Sequence, residues 1–359
     1  MIEAVLMSAP ANEALIRARV AAAVGVPPES LRLDALPAHA STRRYVRVGY
    51  GRRDSVIVMV LPPDALASDE ATDGARPETL PFLEVGAYLD GLGVRVPRLL
   101  ADHVDEGLVV LEDLGAQTLE DAFIAGGRSD KVRHELYGRA IDTLAFMRRR
   151  AEERPDLGGL AFSRGFDEAL LRWELDHFRE WGLEAGAGAT LSDEEAAALA
   201  GHFDALAATL AALPTGLTHR DYQSRNLMVV EGGELAVIDF QDALQGPQVY
   251  DLVALLRDSY IALPRPFIEE MLGRYLDGYR ALGGHPPEFE DFVEAFDLQT
   301  VQRKLKDAGR FVFIDQVKGN PGFLPYIAPS LGYVREALER LPQLAPLHAL
   351  LGRHVPELA

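Results

Sequence analysis

Apolar residues recur along this chain at two different periods, and the change from one to the other falls near residue 115. Before it they come in short runs, one alternating with polar residues, Tyr45-Val46-Arg47-Val48, and one almost wholly apolar, Ser55-Val56-Ile57-Val58-Met59-Val60. Alternation of this kind is what a strand needs to bury one face. Gly49-Tyr50-Gly51 turns the chain between the two runs and Pro62-Pro63 closes the second. Residues 99–101 and 108–111 read as further strands. Two helical stretches sit among them. Residues 11–24 place Leu15, Ile16, Val20 and Ala23 at helical intervals, and residues 81–92 place Phe82, Val85 and Leu89 on one side with Glu84 near the start. The polar, acidic segment 64–79 reads as a loop.

Beyond Gly115 the spacing becomes that of helices. Leu136, Ala140, Leu144 and Met147 make one stripe over 130–150, and Phe166, Leu170, Trp173, His177 and Trp181 make another over 166–181. Ser192-Asp193-Glu194-Glu195 is a capping box for a helix carrying Leu199, Phe203, Leu206 and Leu210. Residues 250–260, 267–282, 289–313 and 330–341 read as further helices. One stretch interrupts them. Residues 227–230 and 235–239 are β-prone and flank Glu231-Gly232-Gly233-Glu234, a hairpin signal. The expectation is an α+β, bilobal fold with a β-rich lobe over 1–113 and a helical lobe over 114–359. Glu112-Asp113-Leu114-Gly115 would be the crossing, with backbone groups of Glu112 and Leu114 open to an adenine edge.

The interrupting stretch carries the chemistry. Thr218-His219-Arg220-Asp221-Tyr222-Gln223-Ser224-Arg225-Asn226 has the aspartate-to-asparagine spacing of a kinase catalytic loop. Asp239 closes the second arm of the hairpin, so Asn226 and Asp239 are expected to face one cleft. Phosphoryl transfer needs a base beside the acceptor hydroxyl, a role suited to Asp221. It also needs a hard cation on the phosphates. Magnesium takes oxygen ligands and keeps several waters, so Asn226 and Asp239 suffice for it.

Composition narrows the partners. The chain has 359 residues, no cysteine and a formal net charge of −19. Disulfides and thiolate chemistry are excluded, and the acidity opposes binding to nucleic acid or anionic membranes. The N-terminal residues do not read as a signal peptide, and no stretch is long and apolar enough to span a bilayer; a cytoplasmic enzyme is expected. Against this acidity, Arg43, Arg44, Arg47, Arg52 and Arg53 crowd one hairpin. Arg52 and Arg53 suit a solvated strand face. Arg43 and Arg44, with Ser41 and Thr42 in the turn before them, suit phosphate.

Across nearly its whole length the chain resembles the aminoglycoside phosphotransferase and choline kinase superfamily. Within it, the chain is most similar to bacterial kinases that phosphorylate N-acetylmuramate and N-acetylglucosamine at C1 in cell-wall recycling. Ser41 to Arg47, Val58 to Pro63, Leu111 to Gly115, His219 to Met228, Ile238 to Ala243, Tyr250 to Leu252 and Gln302 to Lys306 carry the resemblance. It implies ATP and Mg2+, with Asp221 as base and Asn226 and Asp239 as metal ligands. His219 and Asp251 would brace the loop. For a small sugar acceptor, Gln241 and Asp242 are either hydrogen-bonding partners or ordinary turn residues. Trp173 is either a stacking platform or core, and Arg303 and Lys306 are either contacts to a sugar carboxylate or solvated charges. One departure stands out. Met59 takes the place of the strand lysine of protein kinases, which leaves Glu84 without its usual partner and calls for Arg43 or Arg44 on the phosphates. Two alternatives stay open: another hydroxylated acceptor such as an aminoglycoside or choline, and a nucleotide-binding pseudokinase.

Overall fold

The computed structural model describes residues 10–36, 43–62 and 79–359. Ser41, Thr42 and nearly all of the 64–79 segment lie outside the described residues. Five antiparallel strands form the N-terminal sheet: β1 (Arg32–Ala35), β2 (Arg44–Tyr50), β3 (Asp54–Val60), β4 (Leu99–His103) and β5 (Leu108–Glu112), in the order β1-β2-β3-β5-β4. β1 was not expected. It is an edge strand with three of its four residues exposed, so it has almost no buried face for a hydrophobic period to report.

Both faces of the central strands are covered. Val46, Val48, Val56 and Val58 pack beneath the Pro10–Val24 helix through Ile16 and Val20. The opposite face, with Met59, Val109 and Leu111, joins a core that runs on into the helical lobe through Phe82, Leu144 and Leu252. Each large apolar side chain so buried contributes roughly 1.5–3 kcal/mol.

The Pro81–Gly91 helix ties the sheet to the rest. Phe82 stacks on Phe240 with ring centroids 4.9 Å apart, and the Tyr88 hydroxyl donates to the Arg154 carbonyl at 2.9 Å. Glu84, left without a strand lysine, finds another partner. Its carboxylate accepts the Leu160 N–H at 2.6 Å, at the start of the short Leu160–Ser163 helix. With no lysine on β3, this carboxylate turns to an unpaired helix-start donor in the other lobe.

The helical lobe contains the Asp130–Glu153, Glu168–His177, Asp193–Ala211, Tyr250–Leu256, Arg265–Ala281, Phe289–Lys318 and Ile327–Arg340 helices. No described helix is long and apolar enough to cross a membrane. The stripe over 166–181 is not one regular helix: after His177 the chain continues over Phe178–Gly186 with wider turns. There it presses against Gly309 of the Phe289–Lys318 helix. A Cβ at Gly309 would stand 2.8 Å from Phe178 Cα and 3.0 Å from the His177 carbonyl. Glycine is required by this close backbone approach. The Phe289–Lys318 helix is itself buried nearly all round, including Gln299, Thr300, Gln302, Arg303 and Lys304 at its middle.

Gly309→Val is expected to lower stability by about 1–3 kcal/mol through overpacking against backbone that has no rotamer to yield. The shift of the thermal or urea midpoint measures it, and an unchanged midpoint would contradict the close approach.

Candidate active site

The catalytic stretch leaves β6 (Thr215–Thr218), which pairs with β9 (Leu244–Pro247). It returns through the hairpin of β7 (Leu227–Val229) and β8 (Leu235–Val237), in register Leu227↔Val237. Gly232 and Gly233 both take positive φ at its tip, as the tight turn requires. At its base the Ile238 N–H donates to the Asn226 carbonyl at 3.0 Å. Closing the hairpin therefore sets Asp239 beside Asn226: Asn226 Nδ2 lies 2.8 Å from the Asp221 carbonyl and 3.4 Å from Asp239 Oδ2. Asp221, Asn226 and Asp239 thus converge as their spacing predicts.

Two backbone outliers mark the same place. Arg220 and Asp239 have φ of 78° and 64°, conformations that cost a non-glycine residue about 1–3 kcal/mol each. Surrounding bonds hold them. The buried Asp251 carboxylate accepts the N–H groups of His219 at 2.7 Å and Arg220 at 2.9 Å. The His219 ring is 3.0 Å from the Ile238 carbonyl through Nε2, while Nδ1 accepts the Asp221 N–H at 3.2 Å. These partners specify a neutral ring with its proton on Nε2. Burial pushes the His219 pKa down in agreement, and burial likewise pushes the Asp251 carboxyl up against the opposing backbone bonds.

Arg303 does not face an acceptor. Its side chain is fully buried and its guanidinium bonds the Arg220 carbonyl at 2.7 Å and Asp221 Oδ1 at 3.1 Å. A fixed fork of donors suits this double anchorage. Burial works to raise the Asp221 carboxyl, but Arg303, Lys306 and Arg220 together hold it below its ordinary value. Asp239 shifts the other way. Its surface opens to solvent, yet the protein packed around it penalises its charge, and Asp221 and Asp242 add repulsion. The Gln241 bond and Arg43 only partly offset these effects.

Other expected residues distribute unevenly. Gln241 is buried, and its Nε2 donates to Asp239 Oδ1 at 2.9 Å and to Asp242 Oδ2 at 3.2 Å. Asp242 is half-buried, and its charge acts on Asp239 and Arg164. Strand alternation separates the two arginines, because Arg44 shares the parity of Val46 and Val48 under the N-terminal helix and is exposed. Arg43 has the parity of Tyr45, and the charges of Arg43 and Asp239 both act on the Tyr45 phenol, which burial chiefly pushes up to about 12. Met59 is fully buried in the apolar core.

At the crossing, Glu112 is committed elsewhere. Its N–H donates to the Arg98 carbonyl at 2.9 Å and its carboxylate meets Arg95 at 2.6 Å and Arg98 at 3.2 Å. Burial opposes its ionisation, yet these bonds bring the carboxyl down to about 2. The N–H and the carboxylate of Glu112 are thus engaged within the sheet, and Leu114 makes no backbone hydrogen bond among the described residues. The neighbouring Asp113 carries a lock that sequence reasoning missed, accepting from Arg47 and Ser55, each at 2.6 Å, and from the Gly115 N–H at 2.9 Å. Trp173 is not core: it is 50% exposed and stacks on His177, which packs against Phe313. The buried bridge of Glu174 to Arg220 at 3.5 Å and to Gln302 at 2.8 Å was also missed, since Glu174 looks like any polar position of an amphipathic helix.

Asp251→Ala leaves two buried N–H groups without an acceptor. It is expected to cost about 1–3 kcal/mol of stability in urea unfolding. Asp251→Asn, which keeps one carbonyl oxygen, should lose less, and equal stability of both with the unaltered protein would refute the bracing role.

The arrangement has counterparts among known proteins. Residues 33–285 match the phosphotransferase enzyme family. The chain is 37% identical to an N-acetylmuramate/N-acetylglucosamine kinase of Pseudomonas aeruginosa, over 91% of this chain and 89% of that one. It is 34% identical to the Neisseria meningitidis protein of the same name, over 90% and 91%. A choline/ethanolamine kinase family protein from Mesorhizobium loti superposes with a TM-score of 0.58 at 17% identity, covering 96% of this chain and 97% of that one. An ADP-bound aminoglycoside phosphotransferase superposes equally, with a TM-score of 0.58 at 14% identity over 92% and 99%. These two share the bilobal, protein-kinase-like fold. By motif, fold and sequence the chain belongs to the phosphotransferase enzyme family, whose members transfer a phosphoryl group to a hydroxyl acceptor.

Proposed function

We propose that this enzyme transfers the γ-phosphate of ATP to the anomeric hydroxyl of N-acetylmuramate- and N-acetylglucosamine-type sugars, a reaction of cell-wall recycling in the cytoplasm. The observation that carries the reading is the similarity to kinases of that name over nine-tenths of the chain, joined to the convergence of Asp221, Asn226 and Asp239. Residues 1–113 serve as the nucleotide-binding lobe and 114–359 as the catalytic and acceptor lobe. Leu114 offers its backbone to the adenine edge. Arg43 brings positive charge towards the phosphates in place of a strand lysine.

Asp221 is the base. The C1 oxygen forms a bond to the γ-phosphorus as the bond from phosphorus to the β-bridging oxygen breaks; ADP leaves with that electron pair and the hydroxyl proton passes to Asp221. A hemiacetal hydroxyl is more acidic than an ordinary alcohol, so a carboxylate kept ionised by Arg303 is adequate. Asn226 and Asp239 suit magnesium: both present hard oxygens, and the bond of Asn226 Nδ2 to the Asp221 carbonyl leaves Oδ1 as the donor. When bound, that ion neutralises charge on the phosphate oxygens. His219 and Asp251 position the loop, and Asp242 and the exposed Trp173 ring are the acceptor contacts.

Purified protein with ATP and magnesium should release ADP with N-acetylmuramate and N-acetylglucosamine, and phosphorus NMR should place the phosphate on C1. Turnover confined to aminoglycosides or choline would overturn the acceptor assignment, and no product with any acceptor would favour a nucleotide-binding pseudokinase. Asp221→Asn is expected to keep fold and ATP binding while turnover falls about 10²- to 10⁴-fold; full retained turnover would remove Asp221 as base.

A further inference from the structure

Lys306 lies one helical turn beyond Arg303 on the Phe289–Lys318 helix, on the same side as Asp221. Four cations crowd this region, and they differ in access. The side chains of Arg220, Arg303 and Lys304 are 2%, 0% and 1% exposed, whereas that of Lys306 is 12% exposed. Each carboxylate facing Lys306 already has a partner of its own. Asp307 meets Lys304 at 2.7 Å and Lys306 only at 3.4 Å. Glu174 is held by Arg220 and Gln302, and Asp221 by Arg303. The Tyr250 phenol is a further group near the ammonium, and among the described residues its hydroxyl has no hydrogen-bond partner. Although the Lys306 side chain is largely buried, its ammonium keeps its charge, because Tyr250, Glu174 and Asp307 together outweigh burial.

We propose that Lys306 is the specificity-determining residue for acceptors carrying a carboxylate, pairing with the lactyl carboxylate of N-acetylmuramate while the C1 hydroxyl lies at Asp221. The inference rests on the acceptor reading above. The lactyl ether hangs from C3, two ring positions from the reacting carbon. Its carboxylate therefore belongs beside the base and not at it, which is where the helix places Lys306. Arg303, to which the sequence also assigned this contact, is consumed by Asp221. N-acetylglucosamine lacks the carboxylate and forgoes the pair.

The test compares kcat/KM for the two sugars in the full-length enzyme and in Lys306→Met. The ratio of N-acetylmuramate to N-acetylglucosamine should fall about 10- to 100-fold, the range of one charge-assisted hydrogen bond, chiefly through KM. Lys306→Arg should recover part of it. A common loss on both sugars, or no loss on either, overturns the proposal. In the unaltered enzyme, N-acetylmuramate with its carboxylate converted to the neutral amide should show a comparable drop, a readout that survives if the variant does not fold; an amide as good as the acid also overturns it. An unaltered enzyme active on neither sugar fails the acceptor reading itself, which separates that failure from a wild-type enzyme whose preference ignores Lys306.

Discussion

A carboxylate with no access to water must find hydrogen-bond donors, and Asp251 finds them in the backbone of the catalytic loop. The rest of the site follows from this one bond pair. It holds His219 and Arg220 in place, and Arg220 adopts a left-handed φ that its side chain alone would not favour. Arg303 then grips the Arg220 carbonyl and the Asp221 carboxylate from the opposite side. The loop is braced by two buried charges from separate helices, so its geometry depends on how those helices pack.

The second constraint comes from an absence on β3. Met59 is core, and no cation projects from that position towards the nucleotide side. Glu84 is then free to accept from Leu160, and the helix that carries it is pinned to the helical lobe by Phe82 and Tyr88 as well. The positive charge near Asp239 comes instead from Arg43, just before β2. A lysine-to-glutamate pair within one lobe has given way to links that cross between lobes.

The charge pattern around Asp221 has a similar logic. Burial by itself would favour a protonated acid, which could not accept a proton. Cations from one long helix reverse that preference at Asp221, while Asp239, with weaker compensation, is pushed the other way. Two neighbouring aspartates are thereby given different proton affinities by their surroundings.

Much of this was legible from residue order alone, and the reason is locality. The loop from His219 to Asn226, the hairpin with its paired glycines and the aspartate that closes it are set by short-range spacing and turn chemistry. Periodicity over 10–20 residues also sufficed for most helices and for the paired strands. What it could not supply was any contact that depends on one helix meeting another. Arg303 looked like an available polar group and proved to be spent on Asp221, a partner fixed by packing, and Glu174 looked like a surface position and proved to be a buried bridge. Arg43 and Arg44 are neighbours in sequence, yet Arg44 is exposed at the start of β2 while the charge of Arg43 acts on Tyr45 and Asp239. Glu84 changed partners across the lobes. The sequence by itself determined which polar groups the loop and hairpin bring together and in what order; only the tertiary structure decided which charges neutralise one another, because that depends on distances between segments that have no fixed separation until the core has packed.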